Sequence, residues 1–194
     1  MYAPLVDITV PSIYKVGNTP VPLPAKMARC TPDMAKALAA LDEDLRIVKG
    51  SVVLSDLFRS YDMQLQAHLD YTSGKKKAFS PAPGGSMHES GRAFDIDLSR
   101  IKVSLREFWD LAKVHGVVPI IAEPNPREKE CWHFECRGSH QLVYDYYAAG
   151  KASNFRPAQA MAVSAIVSVG VPNDNVRALG IAWIQSALIR LGGT

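Results

Sequence analysis

Apolar residues recur along this chain with two periods, and the places where the period changes mark its elements. Met34, Leu38, Leu41 and Leu45 fall on helical spacing. Thr31 precedes them as a capping residue, Pro32 suits the first helical position, and Asp33 complements the positive helix end. This helix is expected to stop at Gly50. Residues 52–58 read as a buried strand that delivers Arg59 at its end. Residues 61–71 return to helical spacing through Met63, Leu65 and Leu69, and 72–87 form a loop rich in Gly, Lys, Pro and Ser. Strict alternation follows over 92–98, with Ala93, Asp95 and Asp97 on one side and Phe94, Ile96 and Leu98 on the other.

Ser104 and Glu107 make a capping box that opens a helix through Phe108, Leu111, Ala112 and Val114, ended by Gly116. Residues 117–122 and 132–136 read as strands around a loop at 123–129, and 140–149 as a helix. The proline-rich opening, 1–29, offers two short surface strands at 6–10 and 13–16. After Gly150 the composition shifts to Ala, Val and Ile, predicting helices at 158–169 and 176–191 joined by a turn at 170–174. Short strands without regular βαβ spacing predict an α+β domain around a small antiparallel sheet flanked by helices, spanning 1–150. Residues 151–194 would be a helical hairpin that either packs on this domain or mediates self-association. Trp183–Gly192 is also faintly similar to the first helix of small peptidoglycan-binding modules.

Composition narrows this little. The 194 residues carry 47% hydrophobic and 21% charged side chains and a net charge of +3, ordinary for a globular chain large enough to bury a core. Lys75, Lys76 and Lys77 form the densest basic run, read as a solvated loop. No apolar stretch reaches membrane-spanning length, and prolines at 4, 11, 20, 22 and 24 interrupt any secretory leader. Nothing points to nucleic acid. Three cysteines, an odd number, argue against a disulfide framework. Cys131 and Cys136 flank His133, but on one strand they would point to opposite faces and could not share a metal.

Two segments carry the chemistry. In Ser86-Met87-His88-Glu89-Ser90-Gly91-Arg92-Ala93-Phe94-Asp95 a histidine and an aspartate lie seven residues apart. In Glu130-Cys131-Trp132-His133 a glutamate precedes a histidine by three. His88, Asp95 and His133 offer two imidazoles and one carboxylate, a three-ligand Zn2+ site whose fourth position is left for water. Glu130 is the further carboxylate that a hydrolase needs as general base. Gly91 gives the backbone freedom for the chain to fold back. Asp97 shares a face with Asp95 and would hydrogen-bond within the site or do nothing there. Glu135 competes with Glu130, and His68, His115 and His140 default to structural roles.

The pattern Ser-x-His-x-x-Gly-x-Ala-x-Asp followed by Glu-x-Trp-His resembles the signature of the LAS metallopeptidases. That group includes D-Ala-D-Ala carboxypeptidases, vancomycin-resistance D,D-peptidases, L-alanyl-D-glutamate endolysins of peptidase family M15 and the hedgehog domain. Ser86, His88, Gly91, Ala93 and Asp95 meet the first motif, and Glu130, Trp132 and His133 the second. The resemblance covers roughly residues 30–148 and implies the same α+β fold.

It implies hydrolysis of peptidoglycan stem peptides, as a carboxypeptidase or as an endopeptidase. Phe58-Arg59-Ser60 resembles the family's Gly-Tyr-Arg-Ser segment, with Leu57 and Phe58 replacing Gly-Tyr. Arg59 would stabilise an oxyanion or hold a substrate carboxylate. Ser86 would bond substrate or orient the His88 loop, and Trp132 would wall the pocket or serve as core. With no leader read, synthesis in the cytoplasm and release to the cell wall at lysis is expected, or a periplasmic or extracellular place if a leader was removed. A non-catalytic zinc-containing binding or structural module is the rival reading.

Overall fold

The computed structural model describes residues 5–166 and 173–192, and the side chains of 173–179 are outside that description. The strands are β1 (Val6–Asp7), β2 (Pro11–Val16), β3 (Thr19–Pro22), β4 (Arg29–Cys30), β5 (Leu54–Asp56), β6 (Ala93–Ile96), β7 (Val117–Pro119) and β8 (His133–Cys136). The helices are α1 (Pro32–Ile47), α2 (Tyr61–Thr72), α3 (Leu105–Val114), α4 (Gln141–Ala148), α5 (Pro157–Ala165) and α6 (Asn173–Arg190). One 3-10 turn, Met87–Ser90, matters for the site.

The chain folds into two compact units. The strand unit runs to Phe58 and resumes over Gly91–Cys136, holding the strands, α1 and α3. Its main sheet has the order β3-β2-β5-β6-β8-β7, mixed because β2 runs parallel to β5 while the other neighbours are antiparallel. The helical unit comprises Arg59–Ser90 and the chain from Arg137. It contains α2, the Met87–Ser90 turn and α4 to α6, with α5 packed against α4, α6 and that turn. The α+β expectation holds.

In the strand unit, α1 buries Met34, Ala37, Leu38, Leu41 and Leu45, the stripe the helical period predicts. Its end differs in detail. Lys49 takes the left-handed conformation (φ +61°), and Gly50 is demanded by crowding, since a Cβ there would lie 2.3 Å from the Ile101 carbonyl oxygen. The capping box of Ser104 and Glu107 opens α3 as read from the sequence. Leu105, Phe108 and Ala112 are the residues α3 buries, while Val114 at its end is exposed.

Strands β5 and β7 are shorter than the segments expected for them. Val52, Val53, Leu57 and Phe58 are buried, but the ladder covers only Leu54–Asp56, whose register shifts, and the Asp56 carboxylate turns back to accept the Leu57 N–H. Strand β7 stops at Pro119, which has no N–H to give a ladder. In α2 the periodicity misleads: Leu69 is half exposed and the fully buried residue is Gln64. The two C-terminal helices begin at Pro157 and Asn173. Residues 167–169 of the first expected helix and 170–172 of the expected turn lie outside the described residues. Among the described residues no helix is long and apolar enough to cross a membrane.

Candidate metal centre

Strands β6 and β8 pair antiparallel with Ala93 opposite Glu135, Phe94 opposite Phe134, and Asp95 opposite His133. Because side chains alternate, this register puts Ala93, Asp95, His133 and Glu135 on one face and the two phenylalanines on the other. The apolar face is dense. Phe94 stacks on Phe134 at 5.7 Å between centroids, and Phe108 from α3 meets Phe134 edge-on at 4.9 Å. The polar face is just as buried. There His133 Nδ1 lies 2.9 Å from Asp95 Oδ1, and Nε2 lies 3.5 Å from Glu135 Oε1. Burial works against protonating His133, but bonding and charge from Asp95 and Glu135 outweigh it and push its pKa up to about 10.

The chain reaches His88 through Gly91. This glycine has φ +64°, and a Cβ on it would sit 2.6 Å from a methyl of Leu5 and 3.0 Å from the Cys30 Cα. Both the turn and the close approach therefore require glycine. Next to it Arg92 is buried in the strand unit, donating to the Cys136 carbonyl oxygen and pairing with Asp33 at 2.8 Å.

His88 itself sits buried in the 3-10 turn of the helical unit. Its carbonyl accepts the Arg59 N–H at 3.2 Å. Arg59 donates from Nη1 to Gln64 Oε1 at 3.1 Å, while Gln64 Nε2 donates to Ser80 Oγ and to the Pro81 carbonyl oxygen. Beside His88, Glu89 is only 1% exposed. Burial pushes its carboxyl up to about 7, against the pull of N–H bonds from Gly84 and Ser86 and the positive charge of Arg59.

One ligand atom from each of His88, Asp95 and His133 lies within 4.8 Å of the others. The N, N, O chemistry of this donor set suits zinc. Nδ1 is the His133 nitrogen on the Asp95 side, which leaves Nε2 for Glu135. That is the usual arrangement of a ligating histidine held by an outer carboxylate.

The other expected residues are placed as follows. Glu130 is half-buried in the turn before β8, with φ +66° and its carbonyl accepting the His133 N–H at 2.9 Å. A non-glycine residue in that conformation is uncommon. Trp132 is half-buried just before β8, and its carbonyl accepts the Ile96 N–H. Ser86 is buried with its N–H on Glu89. Asp97 leaves the strand and caps the next turn, its carboxylate accepting from Ser99 N–H and hydroxyl. Cys131 precedes β8 and its thiol donates to the Pro126 carbonyl oxygen, and among the described residues no cysteine joins a metal-capable group.

Glu89 and Gln64 escaped sequence reading, and Glu135 was read there only as a rival to Glu130. The spacing Ser86-x-x-Glu89 is a capping-box pattern that the motif reading passed over. Alternation along β8 puts Glu135 on the His133 face. Gln64 gave no local signal, since its partners Arg59, Ser80 and Pro81 are brought to it by the fold.

No family model matches the sequence, and no curated protein matches it. Solved structures do. The LdcB LD-carboxypeptidase, whose structure was described for peptidoglycan recognition, is 20% identical, with 69% of each chain covered and a TM-score of 0.50. The vancomycin-resistance D,D-pentapeptidase VanY, solved with Zn(II), is 16% identical over 75% of this chain and 86% of its own, at a TM-score of 0.46. DacB from Streptococcus pneumoniae is 20% identical over 72% and 86%, at 0.45. From the likeness to the LD-carboxypeptidase, with the sheet and its motif-bearing strands, the chain has the LAS peptidase fold.

Proposed function

We propose that this chain is a zinc peptidase acting on the stem peptides of peptidoglycan. The observation that carries the reading is the convergence of His88, Asp95 and His133 from a turn and two strands, each buried. Zinc held by these three would supply a Lewis acid for the scissile carbonyl and lower the pKa of an attacking water.

The chain's own residues supply the rest. Glu130, fixed in its turn by the His133 N–H, takes the proton from the water and passes it to the leaving amine. Arg59, oriented by Gln64, meets negative charge, either the developing oxyanion or a terminal carboxylate of the substrate. Ser86 and Trp132 line the approach to the bond. Glu135 keeps the His133 ring in the tautomer that presents Nδ1 towards Asp95. The substrate class rests on the motif resemblance and on the fold shared with an LD-carboxypeptidase.

The test is mass spectrometry of purified peptidoglycan digested by the zinc-loaded protein, with Glu130→Ala beside it. New stem-peptide fragments are expected, and turnover by the variant should drop by about 10² to 10⁴ with zinc retained. Loss of a terminal residue alone marks a carboxypeptidase, and paired internal ends mark an endopeptidase. No product from a stoichiometrically loaded protein would turn the reading to a non-catalytic zinc module.

A further inference from the structure

Glu89 has no place in the mechanism above, yet it is the most completely buried carboxylate beside the site. Its two oxygens accept the Gly84 N–H at 3.1 and 2.9 Å, and one of them also accepts the Ser86 N–H at 3.2 Å. Its own N–H returns to the Ser86 carbonyl oxygen at 3.0 Å. Residues 86–89 are thus closed by bonds in both directions, a backbone turn bond and a side-chain bond that is one half of a capping box. Gly84 is drawn in from outside the turn, in a left-handed conformation of φ +87°.

Burying a carboxylate costs free energy that an apolar side chain of similar volume would avoid. If the position served packing alone, an acid would be a poor choice. Glu89 Oε2 alone reaches both N–H groups, at 2.9 and 3.2 Å, and the second carboxylate oxygen also faces Gly84, where an amide would turn a donor towards the Gly84 N–H. The segment so held contains Ser86 and His88. The Arg59 N–H at the His88 carbonyl, the Ser90 hydroxyl at the Met87 carbonyl and the packing of α5 also act on the turn, and the Glu89 bonds are what tie it to Gly84.

We infer that Glu89 is a positioning residue: it locks the 84–86 loop onto the His88 turn and thereby presets His88, and with it Ser86, for the metal. This rests on the zinc reading above. A metal ligand on a short turn has no ladder to define it. An outer hydrogen bond is then worth a factor of about 10 to 100 in metal affinity.

The experiment compares the full-length wild type, Glu89→Gln and Glu89→Asp. Zinc affinity is read by competition with a chromophoric chelator, and backbone hydrogen exchange is read at Gly84 and Ser86. Glu89→Gln is expected to keep one zinc per chain and the thermal transition of a folded protein. It should lose about 10- to 100-fold in zinc affinity and exchange faster at both amides, with Glu89→Asp recovering part of each. A merely structural role would lower the melting temperature and leave the affinity of the folded protein unchanged, and that result overturns the inference. If wild type itself takes up no zinc, the metal reading fails instead. Glu89 is then judged by exchange alone, and unaltered Gly84 and Ser86 amides in Glu89→Gln would remove it as well.

Discussion

Asp95 and His133 are held in a different way from His88. The first two stand opposite each other on β6 and β8, where backbone ladder bonds set their separation and three phenylalanines fill the opposite face. The third sits on a turn of four residues outside any strand, bonded through the Glu89 carboxylate and the Arg59 N–H. Apolar packing is tolerant of chemistry and intolerant of lost volume, whereas a satisfied polar network is the reverse. The two halves should therefore fail under different substitutions.

The largest effect is expected in the strand half. Phe134→Ala removes a fully buried ring that touches both Phe94 and Phe108, and should cost about 3–5 kcal/mol in urea unfolding. A loss under about 1 kcal/mol would mean the aromatic face is not what supports the ladder. Next comes the turn half, through Gln64→Leu. The volume is nearly kept, but Ser80, the Pro81 carbonyl and the Arg59 guanidinium each lose a partner. About 1–3 kcal/mol should go, with faster amide exchange concentrated at 80–90 and little change on β6 and β8. Exchange that rises evenly over both halves would break the distinction.

The smallest effect tests how little the strand half owes to charge. Burial pushes the Asp33 carboxyl up, but the Thr31 hydrogen bond, the Arg92 charge and hydrogen bond, and the Met34 N–H together hold it below 3.8. A depressed carboxylate contributes stability that is present above its unfolded pKa and lost as pH falls through the folded one. Asp33→Asn should therefore flatten a slight decline in urea midpoint below about pH 4, near the ordinary aspartate value, and leave neutral pH almost unchanged. A large drop at pH 7 would show the Arg92 pair to be a principal support.

Local signals in the sequence were enough for much of this. Pro32 and Ser104-x-x-Glu107 mark helix starts because initiation is settled within four residues, although the Thr31 side chain makes no capping bond, and alternation over 93–96 marks β6 just as locally. The metal-capable trio was legible because two motifs far apart both had to match. What stayed hidden depends on distant chain. The parallel pairing of Ser12 with Leu54 leaves no trace in either strand, and the shortness of β5 depends on a register shift against β6. Gln64 carried no local signal because its three partners come from Arg59, Ser80 and Pro81, which periodicity within α2 does not report. Glu89 was visible in principle and overlooked because the letters around it already had another meaning.

The register of β6 against β8 also sets what evolution can vary here. Each strand has four residues, and adjacent positions face opposite ways. One residue inserted into either would carry Phe94 or Phe134 to the polar side and bury an acid or an imidazole among the rings. The connection from Pro119 to the turn that begins at Glu130 is under no such constraint, since loops absorb added length at little thermodynamic cost. Related chains should therefore differ freely in the length of that connection while the strands keep their count.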